Sequence, residues 1–442
     1  MLPMVAVSEA SKTQHLNEDF KSLLNTLQEG EIGTLCKTDK IILMIGNRSF
    51  TSSKRKSDKK IEGQKTTRAQ MRLFARVYLA FKGIYKGQNE VILVDQQNNS
   101  ADIFRRETIT ILGQAINKLC EKPEDNTGIT AQKSASKVAI LNLLKLCAKY
   151  LIGHFLGKNL DVNAKHVTDF LQVLKLFQDD IFGDAFYDIN YKRNVESRKP
   201  INLPSDSDVQ ILLDECRLLM NIDAFEFPTD NYLKIRSAVI TTLVIFNARR
   251  GGEPVRLTLK QWQEALSGDW VDEDESNDML VTYQTGKGPN HLVPVFFPSE
   301  THQAMKFMCD ANNRRLSGIL PTNNYIFASK SSKYHTSGWH AINDVLESLS
   351  LKGAINATRN RHRVASLLAK LNLSDQEKEL IYDHFGHSKS VNKNRYQAAA
   401  GSMQIQHTGK KLLQLNKQRD VTNSSTCNSV SVATVKSPGT LL

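Results

Sequence analysis

Five side chains in the second half of the chain are of the types that break and remake a phosphodiester. In chain order they are Arg250, Lys287, Arg361, His387 and Tyr396. Such a reaction needs a nucleophile to attack phosphorus, and a tyrosine hydroxyl can serve. It needs cations to hold the non-bridging oxygens while charge redistributes. It also needs an acid to protonate the departing oxygen. Two arginines, a lysine, a histidine and a tyrosine meet all three needs. The sequence has no carboxylate or His/Cys cluster at metal-ligand spacing, which fits chemistry with no cofactor.

Each residue also has a plain reading. Arg249 and Arg250 follow an apolar run, and an arginine pair there is ordinarily a surface feature. The pattern Arg250-Gly251-Gly252-Glu253 sharpens it, with Glu253 expected to orient Arg250 through a charge-assisted contact. Lys287 sits in Thr285-Gly286-Lys287-Gly288 between β-prone runs, which reads as a hairpin tip. Arg361 lies in Thr358-Arg359-Asn360-Arg361-His362-Arg363. His384 is expected to pack or cap, leaving His387 as the phosphate ligand. Tyr396 stands in a polar run, and its separation from His387 (396 − 387 = 9) singles it out from the other tyrosines.

The order and spacing resemble the tyrosine recombinases, the phage-integrase type of site-specific recombinase. That family's pattern is Arg-x-x-Glu, a hairpin Lys, His-x-x-Arg, a Gly-His pair, and a nucleophilic Tyr nine residues on. Arg250-x-x-Glu253, Lys287, Arg361, Gly386-His387 and Tyr396 match in turn. The match covers about residues 205–418. Within the family, the chain looks most like eukaryotic recombinases of the Crypton or related mobile-element kind. The resemblance implies a helical core-binding domain followed by a catalytic domain, clamped around double-stranded DNA. It implies that Tyr396 forms a 3′-phosphotyrosine link, that Arg250 and Arg361 hold the phosphate with help from His387, and that Lys287 protonates the leaving 5′-oxygen. It further implies a homo-tetramer on two DNA sites. One position departs: Thr358 stands where the family has His, and threonine can donate a hydrogen bond but cannot act as an acid or base near neutral pH. Arg359 and His362 lie close enough in sequence to be candidate substitutes. A domesticated DNA-binding protein without catalysis, and a topoisomerase-like strand-relaxing enzyme, are the alternatives.

The elements that position these residues follow from hydropathy. Over 66–85, Met71, Phe74, Ala75, Tyr78 and Phe81 recur at steps of three and four, the spacing of a buried helix face. Arg68, Arg72 and Arg76 form a basic stripe on the other face; in a basic protein with a nuclease-like site this stripe is expected to meet phosphates. Further helices are expected near 106–121, 134–157 and 164–184, then from 205 or 206, and over 231–247, 300–315, 337–350, 360–371 and 375–385. The expected class is mainly α with a small β-sheet. The expected organisation is an N-terminal extension with a basic loop (1–64), a helical DNA-binding domain (65–195), a proline-bearing linker, a catalytic domain (205–418) and a disordered tail (419–442).

Composition limits the alternatives. The chain has 442 residues, enough for two or three domains. Hydrophobic residues at 40% exclude a wholly disordered chain, and the low Gly 23 and Pro 11 argue against a turn-rich all-β protein. A formal charge of +12 points to an acidic partner, with Arg359 and Arg363 adding to a local excess beside the candidate site. The six cysteines form no CxxC pair and read as reduced thiols. No apolar run reaches 18 residues, so no membrane span is expected, and the cluster Lys54-Arg55-Lys56 through Lys60 suggests nuclear targeting.

Overall fold

The computed structural model describes residues 17–54, 60–88, 100–121, 133–221, 229–271, 279–286, 292–351, 355–371, 373–386, 388–398 and 401–415. The chain is mainly helical with one small antiparallel sheet, and it divides into two compact units, Met1–Val195 and Glu196–Leu442.

The first unit is built from α1 (Glu18–Asn25), α2 (Glu31–Thr38), α3 (Lys40–Lys54), α4 (Lys60–Gln88), α5 (Ile109–Cys120), α6 (Ser134–Leu156), α7 (Asp161–Leu176) and α8 (Gln178–Asn194). The periodic face of α4 is buried at every expected position, from Met71 to Phe81. Its residues join one core running from Phe20 to Phe182. Residues 17–54 are therefore not an extension. Phe20, Leu23, Ile41, Ile42 and Ile45 belong to that same core, and the Phe20 and Phe50 rings lie 5.6 Å apart. The Ser/Lys-rich stretch between α3 and α4 hides this continuity in the sequence. Arg55 to Lys59 of the basic cluster lie outside the described residues.

Helix α6 is the one described helix long and apolar enough to be weighed against the expectation of no membrane span. By length and mean hydropathy it could cross a bilayer, because its lysines are spaced widely enough to leave the average apolar. Here it is a core helix, with Ile140, Leu144, Cys147, Ala148, Leu151 and Phe155 buried. It also buries a cation: Lys137, 3% exposed, donates from Nζ to both Asp184 carboxylate oxygens at 2.9 Å. The expected helix 164–184 is two helices parted at Phe177, and the second continues to Asn194, into residues whose polarity suggested a linker. Short 3-10 turns at Glu196–Arg198 and Pro200–Asn202 follow.

The second unit holds α9 (Asp206–Met220), α10 (Thr229–Phe246), α11 (Leu259–Ser267), β1 (Met279–Thr285), β2 (Leu292–Pro298), α12 (His302–Cys309), α13 (Ala311–Leu316), α14 (Gly338–Ser348), α15 (Ala357–Leu368) and α16 (Asp375–Phe385). Ser205 caps α9, its hydroxyl accepting from the Asp208 amide at 3.0 Å. Helix α10 is apolar nearly all round and is buried accordingly, from Tyr232 to Ile245. The hairpin pairs Met279 with Pro298 through to Thr285 with Leu292. Alternation turns Val293, Val295 and Phe297 inward, where Phe297 meets the edge of Trp262 at 5.2 Å. The expected helix over 300–315 breaks at Asp310, whose carboxylate caps α13 through the Asn313 amide at 2.8 Å. The described cysteines are free. Burial pushes the Cys36 thiol up to about 11 and those of Cys216 and Cys309 to about 12, which makes them poor nucleophiles. The expected disordered tail, with Cys427, lies outside the described residues.

Candidate active site

The second unit gathers the site at the C-terminal end of α10. Asn247 fixes this end. Its side-chain amide donates to Leu243 O at 3.0 Å and to Phe296 O at 2.9 Å, and its carbonyl accepts from the Phe296 amide at 2.9 Å. Ala248 then takes a left-handed conformation (φ 46°), which turns the chain out of the helix and presents Arg249 and Arg250 in succession. This turn rests on α14 with no side chain between. A Cβ on Gly338 would meet Gly251 O at 1.9 Å, so glycine is required there.

The two arginines part company. Arg249 is 1% exposed; its Nε lies 2.7 Å from Glu253 Oε2, and it donates from Nη1 to His384 O. Arg250 keeps 43% of its side chain exposed and sits 3.5 Å from Glu253 Oε1. Glu253 was expected to orient Arg250, but its closer partner is Arg249. The one-residue offset puts the buried arginine, not the exposed one, on the inner side of the turn.

Helix α15 supplies the second arginine. Asn356 caps it by accepting from the Arg359 amide at 2.9 Å, and Asn360 ties it to α10 by donating to Ile245 O at 2.8 Å. Arg361 is 2% exposed. Its carbon Cζ lies 4.8 Å from the Tyr396 ring centroid and 5.2 Å from that of Phe385, and it donates from Nη2 to Phe385 O. Its Nε and Nη1 have no hydrogen-bond partner among the described residues. Burial lowers its pKa to about 10; the Tyr396 hydroxyl opposes that shift, and the charges of Arg250 and Arg249 reinforce it. The guanidinium remains charged at neutral pH.

Tyr396 ends a π-helical turn, Asn392–Tyr396, and packs half-buried against Ala248, Ala365 and Phe385. The structure thus brings Arg250, Arg361 and Tyr396 to one place. Lys287 and His387 lie outside the described residues. His384 packs, as its position suggested: its ring stacks on Phe296 at 5.2 Å, and Nε2 donates to Asn247 O at 2.8 Å. Burial, chiefly, drives its pKa down to about 4, so it is neutral.

Thr358 and Arg359 are exposed in the first turn of α15. His362, one of the candidate substitutes for the missing histidine, is committed elsewhere: its Nδ1 lies 3.0 Å from Tyr396 O. Arg363 has an internal partner, donating from Nε to Asp206 Oδ1 at 2.7 Å, which differs from the expected phosphate contact. In the first unit, Arg68 donates from Nη1 to Thr26 Oγ1 at 2.9 Å, Arg76 donates from Nε to Arg72 O at 3.3 Å, and Arg76 is exposed. Sequence reasoning missed Asn247 and Asn360. An asparagine ending a long apolar helix, and one inside an arginine-rich turn, were the available signals.

A buried guanidinium with two nitrogens that have no partner among the described residues has the chemistry to bind an oxyanion. Arg250 adds an exposed cation, and Tyr396 adds a phenol whose ring lies against the Arg361 guanidinium.

No family model, no curated protein and no solved structure matches this chain. The site stands on its own geometry.

Proposed function

We propose that this protein cuts and rejoins double-stranded DNA through a covalent 3′-phosphotyrosine intermediate, as a site-specific recombinase. The observation that carries the reading is the buried Arg361, whose Nε and Nη1 have no hydrogen-bond partner among the described residues and whose guanidinium lies over the Tyr396 ring. A phosphate non-bridging oxygen would satisfy those groups, which brings phosphorus to the Tyr396 hydroxyl. Arg250 would hold the second oxygen from the solvent side. Oη of Tyr396 then forms one P–O bond while the bond to the 5′-oxygen breaks. The phenolic proton passes to water, and Lys287 protonates the 5′-oxygen, with His387 donating to the phosphate. No bond energy is lost to hydrolysis, so the reverse step reseals the strand without ATP. The net charge of +12 favours a polyanionic partner, with Arg68, Arg72, Arg76 and Arg359 as backbone contacts. Recombination would take a tetramer on two DNA sites in the nucleus.

A second reading keeps DNA binding without cutting. Its support is the exposed Thr358 together with the commitment of His362 Nδ1 to Tyr396 O.

The deciding experiment starts by selecting bound duplexes from a random pool, then places a nick beside the cleavage point so that resealing fails. The native protein is expected to accumulate a covalent adduct, and Tyr396→Phe to bind but form none. An adduct persisting in Tyr396→Phe would overturn the choice of nucleophile. If native protein and Thr358→His both bind without an adduct, the second reading stands. An adduct gained only with Thr358→His would show that Thr358 limits the chemistry.

A further inference from the structure

Three consecutive residues at the end of the π-helical turn are held by three side chains. Tyr396 O accepts from His362 Nδ1 at 3.0 Å. Gln397 O accepts from Arg198 Nε at 3.1 Å. The Ala398 amide donates to Ser366 Oγ at 2.7 Å. Ser366 Oγ in turn donates to His362 O at 2.7 Å, so two of the three contacts come from successive turns of α15 and are locked to each other.

The chemistry of the first contact is determined. A carbonyl only accepts, so Nδ1 must carry the hydrogen. Burial and the adjacent Arg361 charge disfavour protonation of the ring and outweigh the hydrogen bond to Tyr396 O, which favours it, so the ring is held as the neutral Nδ1–H tautomer. The ring also lies 5.1 Å from the Tyr396 ring, so His362 touches both the backbone and the side chain of that residue. Within the turn Asn392 is buried, while Lys393, Asn394 and Arg395 are exposed, so its middle is held only through its two ends. π-helical turns are rare and recur as single turns at functional sites.

We infer that His362, supported by Ser366 and Arg198, is a positioning residue that clasps the 396–398 segment and so sets Tyr396 against Arg361. It does not exchange protons with substrate. The inference rests on the reading of Tyr396 as nucleophile for its functional consequence, while the clasp itself can be measured without DNA. It also gives a reason for His362 at this position that is independent of the missing histidine at 358.

The test uses the full chain with His362→Leu, His362→Asn and Ser366→Ala, followed by amide hydrogen exchange and adduct formation on the selected nicked duplex. In His362→Leu, exchange over 396–398 should rise about tenfold, as expected for the loss of one hydrogen bond, while amides of α10 keep their protection. His362→Asn, which keeps an N–H donor, should restore most of it, and Ser366→Ala should loosen Ala398 alone. At saturating protein, the adduct rate should fall with the same order of variants while duplex affinity stays constant. If His362→Leu loses protection in α10 as well, Ser366→Ala and Arg198→Gln make the same comparison. Unchanged exchange over 396–398 overturns the clasp. Raised exchange with an unchanged adduct rate overturns the positioning role. Absence of any adduct from both the native protein and Thr358→His refutes the proposed function instead, and exchange alone then decides the clasp.

Discussion

Two deeply buried cations, one from each unit, are treated in opposite ways. In the first, Lys137 Nζ reaches both oxygens of Asp184, and one face of that carboxylate is open to water. In the second, Arg361 is buried just as deeply, yet two of its N–H groups have no partner among the described residues. A paired buried charge contributes little net stability but is costly to break. An unpaired one lowers stability in the resting protein, and that cost is recovered when an anion arrives. The contrast separates a cation kept for the fold from a cation kept for a ligand, although the sequence gives both the same face: a basic residue within a helix.

The sharpest way to break this contrast is Arg361→Met. If the guanidinium serves a ligand, adduct formation should drop about 10²–10³-fold, the usual loss for one transition-state donor. The melting temperature should stay level or rise, because the variant also removes a buried charge. A marked fall in melting temperature would make Arg361 structural, like Lys137. The complementary change is Asp184→Ala, which strands Lys137 and should cost the first unit about 3 kcal/mol in denaturant unfolding. Little or no loss there would show that water replaces the carboxylate, and the contrast would weaken.

Acid titration probes the second unit further. His384 is held at about 4, below its ordinary value of 6.5, so the unfolded chain binds a proton first as pH falls. His362 is shifted in the same direction. The contribution of His384 is therefore complete above 6.5 and is lost on going down toward 4, and His362 adds to the loss below its ordinary value. Stability of the second unit should decline by at most about 1.4 kcal/mol per pH unit per histidine in that window. His384→Gln, which keeps a donor for Asn247 O, should flatten the slope. A slope equal to that of the native protein would remove His384 as its cause. The smallest effect expected is from Asp206→Asn: releasing Arg363 from a largely exposed carboxylate should cost about 0.2–1 kcal/mol. Duplex affinity should hold or rise slightly. A drop would mean that the Asp206 pair aids DNA contact.

What the sequence revealed depended on whether the signal was local. The inner face of α4 and the hairpin strands follow from period alone, and each residue expected on the α4 face is buried. Helix α11 carried a readable signature, Thr258-x-x-Gln261, which forms a reciprocal capping box, but its single aromatic anchor, Trp262, made a weak periodic stripe. The membership of α1 to α3 in the first core was hidden, because contacts such as Phe20 to Phe50 skip over the local pattern. At the site, residue types were legible and partners were not. Nothing in Arg249-Arg250-x-x-Glu253 says that the acid turns to Arg249, since that depends on the left-handed step at Ala248. Likewise, the bond from His362 to Tyr396 O joins residues 34 apart, and no spacing rule reaches that far.

The contact between Gly251 and Gly338 has a consequence for how this protein can vary. Two backbones touch with no side chain between them, so neither position can yield to accommodate a larger neighbour. A methyl group at 338 would push the arginine turn bodily, and no compensating change at 251 could make room, because 251 is already the smallest residue there is. Random mutagenesis should find position 338 nearly intolerant, even though it lies on no substrate and forms no ion pair. A variant library screened for altered specificity would lose those clones first, and their loss would trace the seam along which the arginine turn meets α14.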